Sequence, residues 1–365
     1  MQLKSLTLTN FKNIHNAVLE FSSKVNCFVG DNGMGKSNLL DAIHYLSFCR
    51  SFSGMTDTQL ILTGEDFLTA RAQYQRGEQT EILTLGIGSN RRKSLKRDGK
   101  EYARMSEHIG LFPLVLVAPS DIDMVRGAAE ERRRWLDMVL CQSDPVYLDA
   151  IVRYQRSLEQ RNKMLRDHVV DHTLYEAVEL PMCMAAATVH ARRKERIARL
   201  NELLATLYPA IAGESEKAAL EYDSILNIDP YEKVLDSTRQ HDEAIGFTSR
   251  GVHRDDILMS INEMPIRRAG SQGQCKSFTV ALRLAQFRFM REACGLKPLL
   301  LLDDVFDKLD AHRVERILEM VSNDDFGQIF VTDTNREHID NIIRRAAGRH
   351  RLWSVTDGQF TPIAP

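Results

Sequence analysis

The residues best suited to chemistry lie together near the start of the chain: Gly30, Asp31, Asn32, Gly33, Met34, Gly35, Lys36 and Ser37. They fit the spacing G-x-x-x-x-G-K-[ST], and each residue type has a task. The glycines let backbone N–H groups converge on phosphate oxygens. A helix that begins after the loop turns its positive end toward the same anion. Lys36 is placed to reach the β- and γ-phosphates of a nucleoside triphosphate, and Ser37 to ligate Mg²⁺. A second motif stands near the other end. Leu299, Leu300, Leu301 and Leu302 lead into Asp303 and Asp304. Such a strand buries its aliphatic residues and sets both carboxylates at its C-terminal edge. Beside the loop, Asp303 would hold Mg²⁺ through water, and Asp304 would orient and polarise an attacking water. ATP and Mg²⁺ are the expected cofactors, with Lys36 and Asp304 as the catalytic pair.

Both motifs need particular elements around them. Val25, Asn26, Cys27, Phe28 and Val29 read as a buried strand before the loop, and Leu39, Leu40, Ile43 and Leu46 recur at helical spacing after it. Short strands follow through about residue 117, with a basic hairpin over 91–100 whose Asp98-Gly99 pair signals the turn. From about 120 to 210 the period becomes helical. Tyr147, Ile151, Tyr154, Leu158 and Leu165 form one apolar stripe; Val189, Ile197, Leu200, Leu204 and Leu207 form another. A break near 167–173 predicts two antiparallel helices, with Pro181 kinking or delaying the second. They read as a packed lobe or as a short projecting arm. Strand character resumes near Leu220, and a helix is expected from about Lys276 to Cys294. The expected division is 1–125 and 241–365 as two halves of one unit, with 126–240 as the insertion.

Bulk properties narrow the classes. The chain has 365 residues, 43% hydrophobic, with a formal net charge of −2, which leaves room for a local basic stripe and argues against a protein coated in positive charge. Its six cysteines are scattered without a C-x-x-C pair, as expected of reduced thiols in a cytoplasmic protein. Neither a signal peptide nor a membrane span is expected.

Asp307, Lys308, Leu309 and Asp310 follow the acidic pair, and Ser271, Gln272, Gly273 and Gln274 precede it by about thirty residues. In this order the four pieces resemble an ATP-binding-cassette head: Walker A, an S-x-G-Q signature, Walker B and a D-loop. The stretch Leu8, Thr9, Asn10, Phe11, Lys12 and Asn13 before the loop looks like the heads of the SMC group. Residues 117–121, 132–137, 248–256, 270–274 and 302–310 are similar to stretches of the RecF family. Two departures stand out. Cys275 occupies a position where the family usually carries glutamine, and Val252 one where it usually carries proline.

The resemblance implies an α/β P-loop ATPase head of the ABC type, built from both chain ends around the inserted lobe or arm. It adds Lys12, Ser271, Gly273 and Gln274 to the nucleotide-binding set, the last three completing the site of a second subunit in an ATP-dependent homodimer. It implies a weak, DNA-stimulated ATPase in recombinational repair and replication. The protein would bind double-stranded DNA or double/single-strand junctions near gaps, with RecR and RecO as partners, and would help RecA to load. Basic clusters are the candidate DNA contacts: Arg132, Arg133 and Arg134, and Arg91, Arg92 and Lys93, with further ones at Arg192, Arg193, Lys194 and Arg196 and at Arg344 and Arg345. His253 reads as a structural loop histidine. The competing readings are the nucleotide-binding subunit of a membrane transporter and an SMC-like structural clamp.

Overall fold

The structure, a computed structural model, describes residues 1–90, 92–306, 311–322, 325–345 and 348–363. The chain divides into two compact units: Met1–Ser120 with Met290–Pro365, and Asp121–Phe289.

The first unit begins with strands β1 (Gln2–Phe11), β2 (Ile14–Glu20) and β3 (Val25–Val29), then helix α1 (Lys36–Phe48), β4 (Phe67–Arg76), β5 (Gln79–Gly88), β6 (Lys93–Arg97), β7 (Lys100–Glu101) and β8 (Leu114–Val117). Its C-terminal portion supplies β12 (Leu299–Asp303), α9 (Ala311–Ser322), β13 (Ile329–Asp333), α10 (Arg336–Arg345), β14 (His350–Thr356) and β15 (Gln359–Ile363). One sheet runs β2-β1-β4-β5-β6-β7 and is antiparallel throughout. Its apolar residues line one face: Leu6, Leu8, Ala70, Ala72, Leu83, Leu85 and Leu95 are buried. Leu3 and Leu6 share that face although three residues apart, because the register shifts between Leu3 and Ser5 and a bulge absorbs the extra residue. The other sheet runs β15-β14-β3-β13-β12-β8, parallel from β14 to β8. Every residue of β12 and β13 is buried, as continuous apolar runs require in a parallel core. β3, from the start of the chain, lies between β14 and β13, from its end. That interleaving brings the two sequence motifs to one sheet edge. Helix α1 packs on β4 as well as on β8, β12 and β13, and is buried along most of its length.

The second unit carries α2 (Ile122–Arg126), α3 (Ala129–Ser143), α4 (Pro145–Arg166), α5 (His172–Ala212), β9 (Ala218–Asp223), α6 (Tyr231–Ile245), β10 (Asp256–Ile261), β11 (Met264–Pro265), α7 (Ile266–Ala269) and α8 (Gln272–Cys294) as far as Phe289. α4 starts where its chemistry directs. The Asp144 carboxylate accepts the N–H groups of Val146 and Tyr147, and Pro145 stands at the first helical position. The break between the two long helices falls within 167–171, as the spacing predicts. α5 nevertheless starts at His172 and runs 41 residues through Pro181 without delay. It packs on α4, α6 and β9, and its buried residues extend from Tyr175 in the first turn to Ile211 in the last. Within the second unit these helices therefore pack as a lobe. The helix after the S-x-G-Q stretch begins at Gln272, four residues before the expected start.

Candidate nucleotide site

β3 delivers the chain into the loop at 30–37, and α1 leaves it. Gly35 is the N-cap of α1 with φ 108°, a left-handed conformation that side chains with a Cβ rarely adopt. No side chain caps this helix, so its first-turn N–H groups face whatever occupies the loop. An uncapped helix start behind a glycine turn suits a phosphate group. Lys36 is buried, and its Nζ donates to the carbonyls of Gly30 at 2.6 Å and Asp31 at 2.8 Å, closing the loop around its ammonium. Burial lowers its pKa, and the carboxylates of Asp304 and Asp303 oppose that shift.

The two motifs meet at Asp303. Its Oδ1 accepts the Ser37 hydroxyl at 2.8 Å and the Thr332 hydroxyl at 2.7 Å. Ser37 comes from the start of α1, Asp303 from the end of β12 and Thr332 from β13, so three neighbouring elements converge on one carboxylate oxygen. Burial raises the Asp303 pKa, while the bonds from Thr332 and Ser37 hold it down. An oxygen-only set of hydroxyl and carboxylate matches what Mg²⁺ takes. Asp304 follows at φ 48°, its N–H directed at the Thr332 carbonyl and hydroxyl, both at 3.2 Å. A non-glycine residue in this left-handed region is uncommon, and here it follows directly on the strand end.

Lys12, expected among the nucleotide contacts, is held by partners on α1 and the segment after it. Its ammonium pairs with the fully buried Asp41 at 2.5 Å and bonds Ser53 at 3.1 Å. Asp41 also accepts from Ser51 and from the Phe52 N–H, so this pair anchors segment 51–53. Ser271 and Gln274 form a capping box on α8: the Gln274 N–H donates to Ser271 Oγ at 3.1 Å, and the Ser271 N–H to Gln274 Oε1 at 2.8 Å. The Gln274 amide also donates to Glu216 at 2.8 Å. Ser271 is exposed, Gly273 half-buried, and Cys275 fully buried behind them. The D-loop residues 307–310 and Arg91 lie outside the described residues.

The basic clusters resolve unevenly. Arg132 is buried, with its fork on both oxygens of Asp256 at 2.6 and 2.9 Å and Nη1 on the carbonyls of Met124 and Gly127. Its guanidinium ties α3 to the start of β10, to α2 and to the turn after α2. Arg133 donates to the Asp255 carbonyl at 2.7 Å; Arg134 is exposed beside Glu130 and Glu131. Lys93 also has internal partners: its Nζ donates to the Cys49 carbonyl at 2.5 Å, pairs with Asp57 and stacks over the Tyr45 ring, whereas Arg92 is exposed. Arg193 is buried among Asp137, Asp255, Tyr147 and the Val252 carbonyl. The 248–256 stretch is therefore a structural clasp. His253 belongs to it, with Nε2 on the Thr248 carbonyl and Nδ1 on the Tyr154 hydroxyl; burial lowers its pKa to about 4, so it is neutral at ordinary pH.

The family profile described as RecF/RecN/SMC N terminal domain matches residues 2–351. The DNA replication and repair protein RecF of Parabacteroides distasonis is 43% identical over 363 residues, covering 100% of both chains. The chain belongs to the RecF family. The Porphyromonas gingivalis RecF is 44% identical over 363 residues, with 99% of this chain and 100% of that one covered. Among solved structures, the recombination mediator protein RecF-ATP in the RecFOR pathway superposes with a TM-score of 0.88 at 26% identity, covering 99% of each chain. An SMC head bound to the C-winged helix domain of ScpA superposes at 0.61 with 16% identity, a likeness of fold alone. The fold is thus the ABC/SMC-type ATPase head of the RecF family. Among the described residues no helix is long and apolar enough to cross a membrane.

Proposed function

We propose that the chain is an ATP-operated switch acting on double-stranded DNA beside single-strand gaps, in the cytoplasm, working with RecO and RecR and helping RecA to load. The node at Asp303 carries this reading: it ties the hydroxyl of the phosphate loop to the acidic strand from the other end of the chain. RecF relatives above 40% identity and a RecF-ATP neighbour from the RecFOR pathway support it. In this reading residues 30–37 hold the phosphates of ATP, and Ser37 and Asp303 hold Mg²⁺, which supplies charge neutralisation at the phosphates. Asp304 orients the attacking water. Lys12 holds segment 51–53 at the edge of the site, because a move to phosphate would leave the buried Asp41 carboxylate without its counter-ion.

Ser271, Gly273 and Gln274 of one subunit face the γ-phosphate held by the loop of another, so ATP joins a homodimer and slow, DNA-stimulated hydrolysis releases it. The capping box suits this role. Ser271 Oγ accepts one N–H and keeps its own proton for a phosphate oxygen. Lys36→Met loses a charged contact worth about 1.5–3 kcal/mol and should weaken ATP binding at least tenfold. Ser271→Arg should bind ATP normally and fail to dimerise with it. A mixture of the two variants regains some ATP-dependent association by light scattering, since one of its two composite sites is intact. Normal dimerisation of Ser271→Arg alone sinks the shared-site reading.

A further inference from the structure

We infer that Asn13 and the turn at Asp357 and Gly358 are positioning groups for the phosphate loop, setting its shape before nucleotide arrives. The inference rests on the reading of residues 30–37 as an ATP loop and concerns what holds that loop.

The loop tip is exposed at Asp31, Asn32 and Gly33. A glycine-rich tip of this kind, left to itself, samples many conformations, and binding must then pay for ordering it. Two turns grip this one. From one side Gly358 N–H donates to the Met34 carbonyl at 2.8 Å, and the Asp357 N–H points at the Met34 sulfur at 3.5 Å. From the other, the Asn13 amide donates to the Gly33 carbonyl at 3.4 Å. Asn13 is itself fixed, its Oδ1 accepting from the side chain of Asn38 at 2.7 Å, one residue after Ser37 on α1.

Space confirms the fit. A Cβ built on Gly358 would stand 2.3 Å from the Asn13 carbonyl oxygen, and one on Gly35 would stand 2.9 Å from Asn13 Oδ1. Asn13 is thus wedged between the hairpin turn and the loop's last glycine. The turn joins β14 to β15 in two residues, with φ of 47° at Asp357 and 74° at Gly358, the left-handed pair of a type I′ hairpin. It is anchored where it matters: β14 pairs in parallel with β3, the strand that feeds the loop, from His350 opposite Val25 to Ser354 opposite Val29. Strand, turn and loop form one hydrogen-bonded frame. The C-terminal hairpin therefore acts on nucleotide affinity through the shape of the loop.

The test uses the full-length protein with Asn13→Ala, Gly358→Ala, the double variant and Lys36→Met as reference. The readouts are the Kd of a fluorescent ATP analogue, kcat and KM for ATP, and urea unfolding without nucleotide. Misplacing a binding loop is expected to raise Kd and KM about tenfold in each single variant, with kcat changed less than about threefold. Gly358→Ala presses on the Asn13 carbonyl and Asn13→Ala removes that residue's amide, so the two act through one residue and the double variant should fall short of the product of the two single effects. Lys36→Met with unimpaired binding would overturn the ATP reading itself. Loss of binding in Lys36→Met, with Kd and KM of Asn13→Ala within twofold of the parent, would overturn the positioning inference alone. A lowered unfolding midpoint with an unchanged Kd would do the same, reducing Asn13 to a structural role. Should Gly358→Ala fail to fold, Asn13→Ala decides the matter.

Discussion

Lys36, Ser37, Asp303 and Thr332 in the first unit, and Arg193 with Asp137, Asp255, Tyr147 and Tyr222 in the second, are clusters of the same chemical ingredients arranged to opposite ends. At the nucleotide site the hydrogen bonds are few, Ser37 is exposed, and the helix start is left uncapped. At Arg193 the guanidinium is 1% exposed and meets a phenol oxygen at 3.0 Å, a carbonyl at 2.6 Å and two carboxylates at 2.8 and 2.9 Å. The Tyr147 and Tyr222 hydroxyls then donate to those same carboxylates. A site that must receive a ligand leaves donors open; a site that must hold helices together satisfies them. The difference is one of satisfaction, not of residue type.

Breaking the closed cluster should have the largest effect. Arg193→Leu leaves the buried Asp255 and the half-buried Asp137 without their cation, and removing one partner of a buried pair costs about 3–5 kcal/mol. Urea unfolding measures it; a cost below about 1 kcal/mol would mean the clasp does not hold the second unit together. At the open cluster, Asp304→Asn should keep Mg-ATP bound through Ser37 and Asp303 while slowing hydrolysis about 10²-fold or more. Normal turnover in that variant would move the water-orienting role to another residue. The smallest effect sharpens the contrast at the surface. Arg134→Glu with Arg92→Glu should change stability by no more than about 0.5 kcal/mol. If both groups meet phosphate, duplex binding weakens for all sequences alike, and the salt slope falls by about 0.9 per lost contact. An unchanged slope returns both to an ordinary solvated face.

What the sequence disclosed divides along the same line. The phosphate loop, the acidic strand and the two long helices are local patterns in which glycine spacing, an apolar run or a 3.6-residue period states the geometry directly. Arg132, Lys93 and Arg193 read as surface charge because a basic residue on a helix or strand looks the same whether it faces water or a carboxylate. The partner that decides for Arg132, Asp256, is 124 residues away. Thr332 stood in view at the end of β13 but gained its role only when that strand paired with β12. The S-x-x-Q capping box at Ser271 and Gln274 was legible by the usual helix-start rule, and reading it as a signature alone placed the helix start too late. The Asp357-Gly358 turn was equally legible as a hairpin signal; its target, Met34, lies 323 residues earlier.

The strand order β14-β3-β13 sets a timetable for synthesis. β3 emerges early from the ribosome, yet both of its sheet neighbours lie beyond residue 328. Until they arrive, its backbone donors and acceptors have no permanent partners, and the loop it feeds has no hairpin to grip it. The second unit, continuous from Asp121 to Phe289, can close while the first still waits. Pairings of such long sequence separation are slow to form and leave strand edges exposed meanwhile. A chain stalled or cleaved before residue 350 thus carries Lys36 and Ser37 but lacks the strand that pairs with β3 and the turn that bonds Met34.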